Sequence, residues 1–123
     1  MIKDIEYLVP VLQVRDVEAA SKFFQQLGFE EEWDFDDGDY AGLYCSDFVI
    51  HLQKTRGDDV VPMPLYIQVP DVDRLFGAAT AIGLTIEEDL KDREYGMRDF
   101  SIVGPGGLRV TLGTEIDADS MTP

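Results

Sequence analysis

What this sequence has little of narrows its chemistry. Cys45 is the only cysteine, so no intrachain disulfide can form, and a reducing cytoplasm is the default compartment. His51 is the only histidine. Bases are scarce: 10 Lys and Arg face 25 Asp and Glu, a net charge of −15. Such a surface repels phosphates, which makes nucleic acid and anionic membrane poor partners and favours a cationic ligand. Acidity alone more commonly serves solubility. No apolar run is long enough to span a membrane. The first residues, Met1-Ile2-Lys3-Asp4, lead into a short apolar stretch broken at Pro10, without the h-region or cleavage pattern of a signal peptide.

What is present is a repeat. Gln13-Val14-Arg15-Asp16-Val17-Glu18 returns as Gln68-Val69-Pro70-Asp71-Val72-Asp73, and Leu27-Gly28-Phe29 returns as Ile82-Gly83-Leu84. The offset is constant, since 68−13, 71−16 and 83−28 all give 55. A fixed period of this size marks two copies of one supersecondary unit. The expected organisation is a single domain over 1–114, with module one at 7–53 and module two at 64–113. An acidic tail, 115–123, is expected to be disordered. Two short copies need a shared core or a partner chain, and a cleft is expected where they meet.

Punctuation within each copy predicts its elements. Tyr7 to Val14 reads as a buried strand. Asp16 reads as a helix N-cap with Glu18 in the first turn, and Gly28 as the stop. Val17, Ala20, Phe23, Phe24 and Leu27 fall on one helical face. From Phe29 to Phe35 the residues alternate, which places Phe29, Glu31, Trp33 and Phe35 on one side of a strand and Glu30, Glu32, Asp34 and Asp36 on the other. Asp37-Gly38 is a turn signal. Strands over Tyr40–Cys45 and Phe48–Gln53 flank the Ser46-Asp47 turn. In the second copy, Leu65–Val69 is a strand and Asp71 a cap. Val72, Leu75, Phe76, Ala79 and Ile82 form the helical stripe, and Gly83 is the stop. Strands are expected at Leu84–Leu90, Arg98–Val103 and Leu108–Leu112, the last after a tight turn at Gly104-Pro105-Gly106-Gly107. The fold class is α+β: two tandem βαβββ modules forming a curved mixed sheet with a cleft.

This pattern, with Val9-Pro10-Val11-Leu12, Arg15-Asp16-Val17, Phe23-Phe24, Leu27-Gly28-Phe29, Asp36-Asp37, Tyr40-Ala41-Gly42, Gly96-Met97-Arg98-Asp99-Phe100 and Gly104-Pro105-Gly106-Gly107, resembles the vicinal oxygen chelate superfamily. That superfamily includes glyoxalase I, extradiol dioxygenases, fosfomycin resistance enzymes and bleomycin resistance proteins. These stretches look most like the bleomycin-binding resistance proteins. The resemblance implies a homodimer, with the N-terminal strand around Pro10 exchanged between subunits.

The superfamily's enzymes hold a divalent metal through His, Glu or Gln. The positions the resemblance assigns to such ligands hold Val9, Pro64 and Thr111 here, and only His51 matches a ligand. One imidazole beside the amides Gln13, Gln53 and Gln68 falls short of the three or four donors such a metal needs. The expectation is therefore no metal and no cofactor. A Cys45–His51 nucleophile pair is weaker still than the reading of Cys45 as a small buried hydrophobe. The glycine turn at 104–107 leads into a strand and carries no lysine, so it is no phosphate cradle.

Alternation puts Val9, Val11, Gln13, Tyr66, Gln68, Val49, His51, Gln53, Arg109 and Thr111 on the cleft side. This apolar and amide-lined trough suits a planar organic ligand. In the bleomycin-binding proteins the antibiotic's flat part is stacked between aromatic side chains. The resemblance assigns that role to Tyr40 and Tyr95, with Trp33 in the same region. The expected ligand contacts are Trp33, Asp36, Tyr40, His51, Gln53, Tyr66, Gln68, Tyr95 and Arg109, with no catalytic residue. The acids Glu32, Asp34, Asp36, Asp37 and Asp39 neighbour Tyr40 and would draw in a cation.

The leading expectation is a metal-free, non-catalytic protein that sequesters a cationic aromatic small molecule, as in bleomycin-type antibiotic resistance. A second is a divalent-metal-dependent glyoxalase-like lyase, isomerase or dioxygenase with an atypical site around His51. A third is a structural or regulatory module without a small ligand.

Overall fold

The computed structural model describes residues 2–57 and 61–116. The chain divides into two compact units, Met1–Pro62 and Met63–Pro123. In the first, β1 (Val11–Val14), α1 (Val17–Gln26), β2 (Glu30–Phe35), β3 (Tyr40–Cys45) and β4 (Phe48–Lys54) follow in order. In the second, β5 (Leu65–Gln68), α2 (Val72–Ala81), β6 (Thr85–Asp92), β7 (Met97–Val103) and β8 (Arg109–Glu115) repeat the order. Each unit carries one four-stranded mixed sheet, β1-β4-β3-β2 or β5-β8-β7-β6, in which the first strand lies parallel to the last.

The two helices occupy 17–26 and 72–81, the same offset of 55 that the sequence repeats. Both are capped alike. Asp16 accepts the Ala19 N–H at 3.0 Å and Asp71 the Arg74 N–H at 3.2 Å, which satisfies one of the free donors at each helix start. At the other end Phe29 N–H reaches Phe24 O and Gly28 N–H reaches Gln25 O, matched by Leu84 to Ala79 and Gly83 to Thr80. This 6→1 and 5→2 pairing needs a left-handed residue after the helix, and Gly28 and Gly83 supply it with φ of 107° and 80°.

In the first unit α1 buries Val17, Ala20, Ser21, Phe23 and Phe24 against Leu12, Val14, Ala41, Leu43, Ile50 and Leu52, which are also buried. Phe24 meets Phe23 and Phe29 edge to face. Ser21 is tolerated there because its hydroxyl donates to Glu31 Oε1 at 3.0 Å. In the second unit Phe100, Ile102, Leu108, Val110 and Leu112 form the matching layer. Of the stripe on α2 only Val72 and Ala79 are fully buried. Phe76 packs edge to face on Phe100, while Ile82 is exposed.

Three expectations need correction. The first strand begins at Val11, not Tyr7: Pro10 O accepts the His51 N–H, whereas Tyr7 and Leu8 are exposed. Glu115 is part of β8, and Ile116 N–H bonds Gly96 O; the expected disorder of 117–123 lies outside the described residues. The even alternation of β2 fails, because its pairing with β3 runs Glu31 to Leu43 and then Trp33 to Gly42. Two residues face one, which is a β-bulge. Glu31 stays on the helix side with Leu43, while Trp33 and Phe35 are turned to the opposite face.

Replacing Asp16 or Asp71 by Ala is expected to lower stability by about 1 kcal/mol each, the usual worth of an N-cap. Urea denaturation at neutral pH checks this, and an unchanged midpoint for either variant would remove that cap from the account.

Candidate functional site

Each sheet has one face against its helix and one turned away from it. In the first unit the latter face carries Val11 and Gln13 from β1, His51 and Gln53 from β4, Tyr40 and Gly42 from β3, and Trp33 and Phe35 from β2, as the pairings Val11–His51–Gly42–Trp33 and Gln13–Gln53–Tyr40–Phe35 require. Four of these side chains form an aromatic cluster. Trp33 and Tyr40 are parallel within 4°, with centroids 5.9 Å apart. Phe35 lies 5.6 Å from Trp33 and 5.0 Å from Tyr40, tilted by 27° and 23°. His51 meets Trp33 and Tyr40 edge-on, and its Nδ1 shares a 2.9 Å hydrogen bond with the Tyr40 hydroxyl.

The cluster depends on a missing side chain. A Cβ at Gly42 would lie 2.5 Å from the Trp33 ring, so only glycine lets the indole lie flat on the sheet. Trp33 and Phe35 remain 36% and 57% exposed, so aromatic surface is offered to solvent. Beside it, Asp36, Asp39, Tyr40, Gln53, Lys54, Thr55 and Arg56 line an open depression of about 420 Å³. Its Asp36 follows Phe35 directly and adopts a positive φ of 59°, a conformation Asp tolerates better than most residues. Lys54 Nζ sits 4.0 Å from Asp39, whereas Asp36 makes no ion pair among the described residues. Gln13 Nε2 donates to Gln53 Oε1 at 2.6 Å.

The second unit gives the same sheet face a different chemistry. Tyr66, Thr111 and Ser101 pair across the sheet as do Gln68, Gly113 and Asp99. Asp99 thus takes the place that Tyr40 holds in the first unit. It is buried, with Oδ1 accepting Arg93 Nε at 2.7 Å and Oδ2 accepting the hydroxyls of Tyr66 at 2.9 Å and Tyr95 at 2.5 Å. Burial pushes its pKa up, but the bonds from Tyr95, Arg93 and Tyr66 outweigh this and hold the carboxyl below its ordinary value. Tyr66 is pushed well up, first by burial and then by its bond to Asp99; Tyr95 is pushed up by that bond first. Arg109 faces Glu87 and Glu88 at 3.3 and 3.0 Å, and Ser101 and Thr111 share a 2.7 Å hydrogen bond.

Of the expected contacts, Trp33, Asp36, Tyr40, His51 and Gln53 come together in the first unit. Tyr66 and Tyr95 meet at Asp99 in the second. Gln68 is exposed on the same face, and Arg109 is engaged by its two glutamates. Phe35, Asp99 and Arg93 were not among the sequence candidates. Alternation already sets Phe35 on the same side of β2 as Trp33, and that shared face is the signal that points to it. Asp99 carries no sequence mark of burial beyond alternating with Phe100 and Ile102.

The donor chemistry for a divalent metal is not gathered. His51 Nδ1 is shared with Tyr40, and no three His, Cys, Asp or Glu side chains converge among the described residues. This donor set does not fit such an ion. Cys45 pairs with Phe48, three pairs along the ladder from Gly42–His51, and strand alternation puts it on the opposite face from His51. The two do not form a nucleophile and base. No described helix is long and apolar enough to cross a membrane.

Comparison with known proteins agrees with this architecture. The family model described as Glyoxalase/Bleomycin resistance protein/Dioxygenase superfamily matches residues 5–112. No curated protein sequence matches significantly. Among solved structures, a glyoxalase/bleomycin resistance protein/dioxygenase from Nocardioides aligns with a TM-score of 0.78 at 12% identity, over 96% of this chain and 88% of that one. A bleomycin-binding protein complexed with bleomycin aligns with a TM-score of 0.75 at 17% identity, over 90% and 99%. Lactoylglutathione lyase from Agrobacterium tumefaciens gives 0.72 at 18%, over 91% and 96%. At these identities the likeness shows the fold.

The depressed Asp99 pKa has a consequence for stability. Through the window below the ordinary value of 3.8, the folded protein holds fewer protons at this site than the unfolded chain. The stabilisation is complete above that value and is lost as pH falls through the folded one. Asp99→Asn should be less stable than wild type at neutral pH and should lose less on acidification. Urea midpoints across the acid range test this, and parallel curves for the two proteins would contradict it.

Proposed function

Because this chain belongs to the Glyoxalase/Bleomycin resistance protein/Dioxygenase superfamily, we propose that it is a metal-free, non-catalytic binding protein that sequesters a cationic aromatic small molecule of the bleomycin type in the cytoplasm. The observation that carries this reading is the exposed stack of Trp33, Phe35 and Tyr40 with Asp36 at its rim. A planar group laid on such rings gains about 0.5–1.5 kcal/mol beyond simple burial, and a positive charge above them adds about 0.5–2 kcal/mol. Asp36 and the net charge of −15 raise the local concentration of a cation. The bleomycin complex of a protein with the same fold supports the ligand class. A lactoylglutathione lyase shares the fold as well, so what disfavours a glyoxalase-like reaction is the surroundings of His51: the Tyr40 phenol and the Trp33 ring do not complete a metal-ligand set.

Calorimetric titration with metal-free bleomycin is expected to show saturable binding near one ligand per subunit. Trp33→Ala and Tyr40→Ala should each weaken it by about tenfold or more, since both burial and stacking are lost. Asp36→Asn should weaken it at low salt and match the wild type at high salt. Absence of saturable heat in the wild type would remove the reading.

We also propose a homodimer. Ile2, Ile5, Tyr7 and Leu8 lie exposed along an N-terminal segment outside any helix or strand, a row of apolar side chains that a partner subunit would cover. Sedimentation equilibrium should give twice the chain mass, and Leu8→Asp should shift the population towards monomer. A wild-type monomer at every concentration would refute the assembly.

A further inference from the structure

Asp99 is the one charged side chain fully buried among the described residues, and the stack on Trp33, Phe35 and Tyr40 makes no use of it. A buried carboxylate is costly unless paired and hydrogen-bonded. Arg93 supplies the pairing at Oδ1, supported by its Nη2 bond to Asp89 O. Oδ2 is occupied differently. It gathers the hydroxyls of two tyrosines from separate parts of the unit: Tyr66 on β5 and Tyr95 in the turn between β6 and β7. Their side chains contribute little to the core, for the two residues remain 48% and 65% exposed. The backbone is opened to admit one of them: a Cβ at Gly113 would collide with the Tyr66 hydroxyl and lie 3.1 Å from Asp99 Cβ.

Tethering exposed rings at the hydroxyl costs rotamer freedom and gains little burial. What it yields is rings whose faces are open and whose orientation is set. We infer that Asp99 is a positioning residue, which fixes Tyr66 and Tyr95 as a preset aromatic surface for a planar cationic ligand. The inference rests on the sequestration reading and adds to it the group that orders the second unit's rings before the ligand arrives. Arg93 keeps the carboxylate charged, and the two phenols stay protonated as donors, in line with their upward-shifted pKa values.

The test uses metal-free bleomycin as the probe with the full chain and its Tyr66→Phe, Tyr95→Phe and Asp99→Asn variants. The phenylalanine variants keep the ring and lose the tether. Each should bind about threefold to tenfold more weakly, the cost of ordering a freed side chain on binding, under conditions where urea denaturation shows it fully folded, its midpoint being lower because Asp99 Oδ2 loses a donor. Alkaline absorbance titration should show phenols in Asp99→Asn ionising earlier than in the wild type, a signature that a brace unconnected to the rings would not give. Wild-type affinity in both phenylalanine variants would overturn the positioning role while leaving sequestration intact. No binding to the wild type would overturn both. Should Asp99→Asn fail to fold, the phenylalanine pair decides alone.

Discussion

A strand gives every other side chain to each side of its sheet, and in both units the helix claims one of those sides. That constraint organises the molecule. Leu12, Leu43 and Leu52 in the first unit and Phe100, Ile102 and Val110 in the second are committed to packing under a helix, so polar and ligand chemistry on these sheets lies on the side the helix leaves free. Among the described residues the helix-side core is apolar apart from Ser21, whose hydroxyl is engaged. The rings of Trp33, Phe35 and Tyr40, the amide pair and the buried carboxylate all fall on the other side. Apolar packing and polar chemistry are thereby separated residue by residue along the same strands.

The repeat supplied two equivalent free faces, and the sequence has filled them differently. Where the first unit has Tyr40 stacked on Trp33, the second has Asp99 holding two hydroxyls and a guanidinium. One face is arranged by dispersion between rings, the other by a charge and its donors. The framework that carries both is almost unchanged, down to the paired aspartate caps and the left-handed glycines that close each helix.

Most of that framework was legible in the sequence because it is written in local rules. Asp16 and Asp71 announce helix starts, Gly28 and Gly83 announce their ends, and the 55-residue offset ties the copies together. The site was partly legible: Trp33, Asp36, Tyr40, His51 and Gln53 do gather on one face. What escaped was non-local. The burial of Asp99 depends on Tyr66, 33 residues away, and on the space left by Gly113 across the ladder. The exposure of Tyr7 and Leu8 depends on the absence of a partner strand in their own unit. The face taken by Phe35 depends on a pairing shift that alternation alone cannot show.

That shift between Glu31 and Trp33 makes the presence of an aromatic surface a matter of parity. With the same residues in an unbroken ladder, Glu32 would oppose Gly42 and Trp33 would oppose Ala41, so Trp33 and Phe35 would return to the helix side, where they would compete with an already filled core. The sheet order, the helix and the caps would still be specified. A one-residue slip of register in this strand therefore decides whether the face is aromatic or bare. The bulge thus selects which side chains of β2 the free face displays, without altering the fold that carries them.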